Sequence, residues 1–194
     1  DAEAFGKFVA ILSRQVARLE SMTKDLLDLH IVERGRDKLR LEEMDLSRLG
    51  RWVEEQFAPR SREKGVELKV RTDGSALPFR SDWMLLQLIL QNLIENAIRF
   101  TPAQGQVECE LLDQDAHLLV RVRDTGCGIP PAMQERVFER FFQADAARSG
   151  DARIGGTGLG LAIVKHATER LGGKITLQSD VGRGTTVTVQ VPKR

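Results

Sequence analysis

The run DWMLLQLILQNLIENAIRF, residues 82–100, is largely apolar, and a helix that is hydrophobic on most sides has to be covered on most sides. The rest of the chain must therefore wrap it. Ser81 or Asp82 can cap its start. Asn92, Asn96 and Arg99 fall at i, i+4 and i+7 and so share one face. A polar stripe on a buried helix needs partners. Either the amides satisfy neighbouring backbone, or the stripe meets a ligand. Asn96 would then offer a neutral oxygen to Mg²⁺, a hard cation usually held through few protein groups plus phosphates, and Arg99 would face phosphate charge.

The flanking segments supply a sheet to cover that helix. Upstream come an extended LRLEEMDL, a helix from about Ser47 to Lys64 that Pro59 should kink or end, a strand VELKVRT (66–72) and a loop DGSALPFRSD (73–82). Downstream, QVECELL (106–112) and HLLVRVRD (117–124) alternate and read as a hairpin joined by DQDA. A short helix around 131–140, a loop to about 155 and a helix from about 158 to 171 follow, the last ending at Gly172-Gly173. Two strands, KITLQS and TTVTVQV, close the chain around the turn DVGRG. Strand hairpins mixed with helices imply an α+β layer fold.

Residues 3–34 stand apart. Phe5, Val9, Leu12, Val16, Leu19, Thr23, Leu26 and His30 alternate spacings of four and three, a heptad seam along one long helix that Gly35 should stop. One helix cannot bury its own seam, so self-association through this segment is expected.

Composition narrows the partners. With 41% hydrophobic residues in 194, one core plus a helical appendage is within reach, and 29 basic against 28 acidic residues give no field that points to nucleic acid or an anionic membrane. RGRDK (34–38) and RSREK (60–64) read as solvated faces. Cys109 and Cys127 lack metal-ligand spacing and are expected to be reduced thiols. No apolar run approaches the ~20 residues of a membrane span, so a soluble chain in a cytoplasmic setting is expected, with membrane anchoring of an intact protein left open. The chain opens on Asp1 rather than Met, and a fragment or processed product is expected.

Two glycine-bearing stretches carry the chemistry. RVRDTGCGIPPAM (121–133) ends a strand in Asp124 and then spends Gly126 and Gly128 before Ile129-Pro130-Pro131. RIGGTGLGLAIVKHATERLGG (153–173) places Gly155, Gly156, Gly158 and Gly160 just before an apolar helix, where free N–H groups and the helix dipole attract an anion. Neither the P-loop nor the G-x-G-x-x-G spacing is present. A phosphate site here needs a different scaffold.

Together NLIENAIRFTP (92–102), DTGCGIP (124–130), ERFFQAD (139–145) and GGTGLGLAIVKH (155–166) resemble, in order, the N box, first glycine box, F box and second glycine box of the bacterial sensor histidine kinases of the GHKL ATPase superfamily. The resemblance covers roughly residues 39–194. It implies a Bergerat-type α/β sandwich, a mixed sheet with helices on one face, preceded by the heptad helix. Residues 1–38 look like the second helix of the dimerisation and phosphotransfer bundle, and 39–194 like the ATP-binding catalytic domain.

The same resemblance implies roles. Asp124 would accept a hydrogen bond from the adenine amino group while Gly126, Gly128 and Ile129 let the chain pass closely around the base. Asn96 would be the Mg²⁺ ligand, with Asn92 one turn earlier near the phosphates, Arg99 beside them and Phe100 near the nucleotide. Gly156, Thr157, Gly158, Leu159 and Gly160, with Leu161 following, would hold the phosphates, and Thr185 would stand close to adenine. Residues from about 139 to 155 would form a mobile lid anchored by Phe141 and Phe142. The implied cofactors are ATP and Mg²⁺. The implied partners are a second copy of the chain through the N-terminal helix and a response-regulator receiver domain.

Hydrolysing members of the superfamily carry a Glu where Asn92 stands, and Asn is a poor general base. Transfer to a protein nucleophile is therefore expected over hydrolysis. Glu95 is expected to point elsewhere on the helix. The family's phosphoacceptor motif is absent: among His30, His117 and His166 none has the acidic follower the motif requires. His30 is expected to pack at the bundle end and the other two to be structural. Two alternatives share parts of the pattern, a serine kinase of the anti-sigma type and a degenerate nucleotide sensor acting by dimerisation.

Overall fold

The computed structural model describes residues 2–33, 38–73, 79–114, 116–143 and 156–193. Gly35 and residues 144–155, the greater part of the expected lid, lie outside them. The chain order is α1 (Ala2–Glu33), β1 (Leu41–Met44), α2 (Leu46–Lys64), β2 (Glu67–Thr72), β3 (Phe79–Asp82), α3 (Trp83–Phe100), β4 (Gln106–Gln114), β5 (His117–Asp124), α4 (Pro131–Gln134), a 3₁₀ turn (Arg136–Phe138), α5 (Gly160–Arg170), β6 (Lys174–Asp180) and β7 (Gly184–Pro192).

Five strands form a mixed sheet in the order β2-β4-β5-β7-β6. β2 and β4 pair in parallel, with α3 in the crossover between them, and the remaining pairs are antiparallel. Val107, Cys109 and Leu111 of β4 and Leu118, Val120 and Val122 of β5 are buried at alternate positions, so one face of the sheet takes up α2, α3 and α5. At the centre is α3, whose Leu85, Leu86, Ile89, Leu90 and Ile94 are fully covered. Truncating one of these to Ala would cost ~2–5 kcal/mol. Asp82 caps its start, Oδ1 accepting from Leu85 N at 3.2 Å.

At the other end of α3, Lys64 Nζ donates to the carbonyls of Ile98 and Arg99. That side chain fastens the last turn of α2 to the last turn of the helix that bears the polar stripe.

Three local expectations change. Pro59 does not end α2, which runs on from its Asp45 cap to Gly65. Pro59 is exposed, so water can serve the carbonyl that its missing N–H leaves behind. The segment FRSD, inside the expected loop, is strand β3 and pairs antiparallel with β1. The expected helix at 131–140 divides into the single turn of α4 and the 3₁₀ turn, and ends at Phe138 because Glu139 is extended.

α1 presents two faces. The heptad seam is open to solvent, Phe5 at 71% and Leu19 at 63% exposure. An adjacent face carries Asp25, Leu29 and Val32 and packs against α5, with Leu29 and Val32 buried. Around that contact Glu33 pairs with Arg140 and lies 3.6 Å from His166 Nε2, and Arg170 donates to Ile31 O. His30, expected to pack at the bundle end, is exposed.

Candidate functional site

The carboxyl ends of β5 and the start of β7 lie side by side, Arg123 opposite Thr186. This register delivers Asp124 beside the turn that opens β7. Asp124 Oδ1 accepts from Gly126 N at 2.8 Å and from Thr185 N at 3.2 Å. Both bonds fall on one oxygen, which leaves Oδ2 for a ligand. Burial raises the Asp124 carboxyl above the usual carboxylate range, opposed by the two amide bonds. The same cavity has an apolar wall made of Leu93, Ala97, Val122, Ile129, Leu177 and Val187.

Opposite the strand ends lies the stripe of α3. Asn92 Nδ2 donates to Leu88 O at 2.8 Å, so half of its amide is spent on its own helix. The Asn96 side chain makes no hydrogen bond among the described residues and lines the cavity. Its oxygen is free for a cation. The Arg99 guanidinium is largely covered; burial weakens its hold on the proton, while Glu95 and Asp25 nearby strengthen it.

The second glycine stretch closes over that stripe. A Cβ on Gly156 would fall 2.2 Å from Arg99 Nη1, and one on Gly160 would meet Asn92 Oδ1 at 2.9 Å and Asn96 Nδ2 at 3.3 Å. Glycine lets α5 begin against the asparagines without displacing their side chains. Gly158 is also in the cavity, and Gln143 Nε2 donates to Gly156 O at 2.7 Å. Asn96, Arg99 and the N-terminus of α5 thus converge on one end, and Asp124 and Thr185 on the other. The cavity is a slot with a cationic, amide-rich end and an acceptor-bearing end joined by an apolar wall.

The residues singled out in the sequence come together except Phe141 and Leu159, and Gly126 holds Asp124 without lining the slot itself. Phe141 is 61% exposed and in the left-handed region at φ 62°, which turns its side chain away; Phe142 lines the cavity in its place, with Arg136 over its ring at 4.4 Å. Leu159 is buried beneath the slot and not in it. Glu95 does not point elsewhere. Three residues turn a helix by about 300°, which sets it about 60° from Asn92, and it borders the cavity while holding Arg60 at 3.2 Å.

Asp25 was not foreseen at all. Thr157 Oγ1 donates to Asp25 Oδ2 at 2.5 Å, across 132 residues of sequence. Desolvation raises the Asp25 carboxyl above its usual range despite that bond. No local pattern signals a contact set by how α1 docks.

Residues 81–194 match the family model described as histidine kinase-, DNA gyrase B- and HSP90-like ATPase. The chain is 36% identical over 178 residues to the circadian input-output histidine kinase CikA of Synechococcus elongatus, covering 91% of this chain and 23% of that protein. It spans about a quarter of that relative's length. The crystal structure of full-length ShkA in complex with AMPPNP is similar with a TM-score of 0.81 at 30% identity, covering 96% of this chain and 38% of that one. That of histidine kinase ThkA in complex with response regulator protein TrrA is similar with a TM-score of 0.75 at 26% identity, covering 100% of this chain and 53% of that one.

Proposed function

The chain belongs to the histidine kinase-, DNA gyrase B- and HSP90-like ATPase family, and we propose that it is the catalytic, ATP-binding part of a two-component sensor histidine kinase. On this reading Mg-ATP occupies the slot, the γ-phosphoryl passes to a histidine on a dimerisation helix, and from there to an aspartate of a response regulator. Residues 1–38 serve as the second helix of that bundle and pair with another copy through the exposed seam. Residues 39–194 bind the nucleotide. A cytoplasmic setting follows, since that is where ATP is.

One observation carries the reading. Asp124 has one oxygen saturated by Gly126 and Thr185 and the other left for the slot whose far end holds Asn96, Arg99 and the start of α5. An ionised carboxylate suits an exocyclic amine, and the opposite end suits polyphosphate. The unbonded Asn96 amide fits Mg²⁺, which when bound would neutralise phosphate charge. Gly156, Thr157 and Gly158 would hold the phosphates, and Phe100 and Ile129 would border the base.

The protein groups near the phosphate end favour transfer over hydrolysis. Asn92 cannot take a proton from water, and its amide is already bound to Leu88 O. Glu95 is engaged by Arg60 and Gln91. Neither is a free general base.

Calorimetric titration of ATP with and without Mg²⁺, repeated on Asp124→Ala and Asn96→Ala, tests this. Asp124→Ala should lose nucleotide affinity and Asn96→Ala mainly its Mg²⁺ dependence. Supplying a helix that bears an acceptor histidine should then yield acid-labile phosphate on that helix. A chain that binds no adenine nucleotide under any metal condition would overturn the proposal.

A further inference from the structure

The base end of the slot contains a second acceptor whose direction is set by a residue outside it. Ser179, near the end of β6, sits in a knot of four short contacts. Its Oγ accepts from Ile129 N at 2.8 Å, and lies 3.0 Å from Gly184 O and 2.8 Å from Thr185 Oγ1. Gln134 tightens the knot by donating to Ile129 O at 3.0 Å and to Ser179 O at 2.7 Å.

A serine hydroxyl has one proton to give and two lone pairs to receive. Ile129 N–H takes one lone pair. Gly184 O cannot donate, so the Ser179 proton goes there. Either oxygen of the Ser179–Thr185 pair could donate; the arrangement that satisfies all three contacts of Ser179 Oγ at once has Thr185 donating to Ser179, which spends the Thr185 proton on protein. Thr185 lines the slot, and what it shows there is lone pairs alone. Its own N–H is committed to Asp124 Oδ1. The base end therefore presents two acceptors, Asp124 Oδ2 and Thr185 Oγ1, and no hydroxyl free to reverse.

We propose that Ser179 is a specificity-determining positioning residue: by taking the Thr185 proton it makes the base end accept an amino edge and reject a keto edge. The inference rests on the nucleotide reading given above and names what that site discriminates. An exocyclic amine brings two donors to the two acceptors. A keto oxygen brings lone pairs against both, and buried acceptors left facing lone pairs are costly. Without Ser179, the Thr185 hydroxyl is free to turn its proton toward a keto oxygen.

The test compares ATP with inosine triphosphate, which exchanges the 6-amino group for a 6-keto group. Affinities are measured by calorimetry with Mg²⁺ on the whole chain. Ser179→Ala should narrow the ratio of the two affinities by about tenfold, the worth of one neutral hydrogen bond, chiefly by tightening inosine triphosphate. Ser179→Thr, which restores the hydroxyl, should recover the parental ratio. Gln134→Ala loosens the knot without freeing Thr185, and should weaken both nucleotides with their ratio kept. If Ser179→Ala does not fold, Thr185→Val removes the second acceptor outright and should narrow the ratio as well. Equal losses for both nucleotides in Ser179→Ala, or a parental ratio in Thr185→Val, overturn this inference alone. A parent chain that binds neither nucleotide overturns the nucleotide reading and this inference with it.

Discussion

Replacing Asp124 by Asn changes the ligand side of one group and spares its protein side. The amide oxygen can accept from both Gly126 N and Thr185 N, as Oδ1 does now, so the turn keeps its bonds. At the position of Oδ2 an acceptor becomes an NH₂ donor. A hydrogen bond to a charged partner is worth about 1.5–3 kcal/mol, and in Asp124→Asn a donor would face the amino group of the base. Affinity for ATP should fall about 10- to 150-fold.

Stability should move the other way. A carboxyl whose folded pKa is raised by burial, as at Asp124, supports the fold below its unfolded pKa, and that support is lost as pH rises through the folded value. Once ionised, the side chain burdens the fold, and Asn removes the burden. The variant should melt at or above the parent's temperature at neutral pH, with the difference shrinking in acid. Binding to the parent should weaken as pH falls through the same raised value, because protonation removes the acceptor. Fluorescence anisotropy of a labelled ADP and calorimetric melting at neutral and acidic pH read both effects. Parental affinity in Asp124→Asn, or a loss of binding explained by unfolding, refutes the reasoning.

Other perturbations reach other parts of the molecule. Gly160→Ala suits a helix but drives a Cβ to 2.9 Å from Asn92 Oδ1; the melting temperature should hold while Mg²⁺-dependent ATP affinity falls several-fold by calorimetry, about 1 kcal/mol for a displaced ligand. Gly128→Ala and Gly182→Ala share a left-handed φ, yet a Cβ at Gly128 lands 2.0 Å from Asp180 O and one at Gly182 meets nothing. Denaturant unfolding should therefore show a loss of about 1 kcal/mol for Gly182→Ala and distinctly more for Gly128→Ala. Burial pushes the Cys109 thiol up to about 12 while Cys127 is exposed beside the slot; a thiol reagent followed by mass spectrometry should label Cys127 alone, and ATP should slow it. Leu19→Glu, on the exposed seam, should abolish self-association in sedimentation without lowering the melting temperature, whereas Leu29→Ala should release α1 from α5 and raise amide exchange along it.

Much of this was legible because it is local. The apolar surface of residues 82–100 announces a central helix, and the i, i+4, i+7 spacing of Asn92, Asn96 and Arg99 announces its working face. Alternation in residues 106–112 and 117–124 announces the hairpin that carries Asp124. What stayed hidden was set at longer range or in too few residues. The four residues of β3 are too short to alternate visibly, and they are strand because β1 offers them an edge. Phe141 and Phe142 are equivalent as letters, and one left-handed residue decides which enters the slot. Ser179 looks like any strand serine until its neighbours are counted.

The seam of α1 and the stripe that binds α5 are offset by about one residue, or about 100° around one rod. A helix transmits angle as well as position. An insertion of seven residues between Leu19 and Asp25 would shift the two faces by only about 20°, whereas an insertion of three would turn them nearly back to back. A quarter turn applied at the seam arrives at Asp25 in full and carries its carboxylate off Thr157, at the mouth of the slot. On the proposed reading, in which two copies pair through the seam and a nucleotide fills the slot, the phase of this one helix would tie the winding of the pair to the slot.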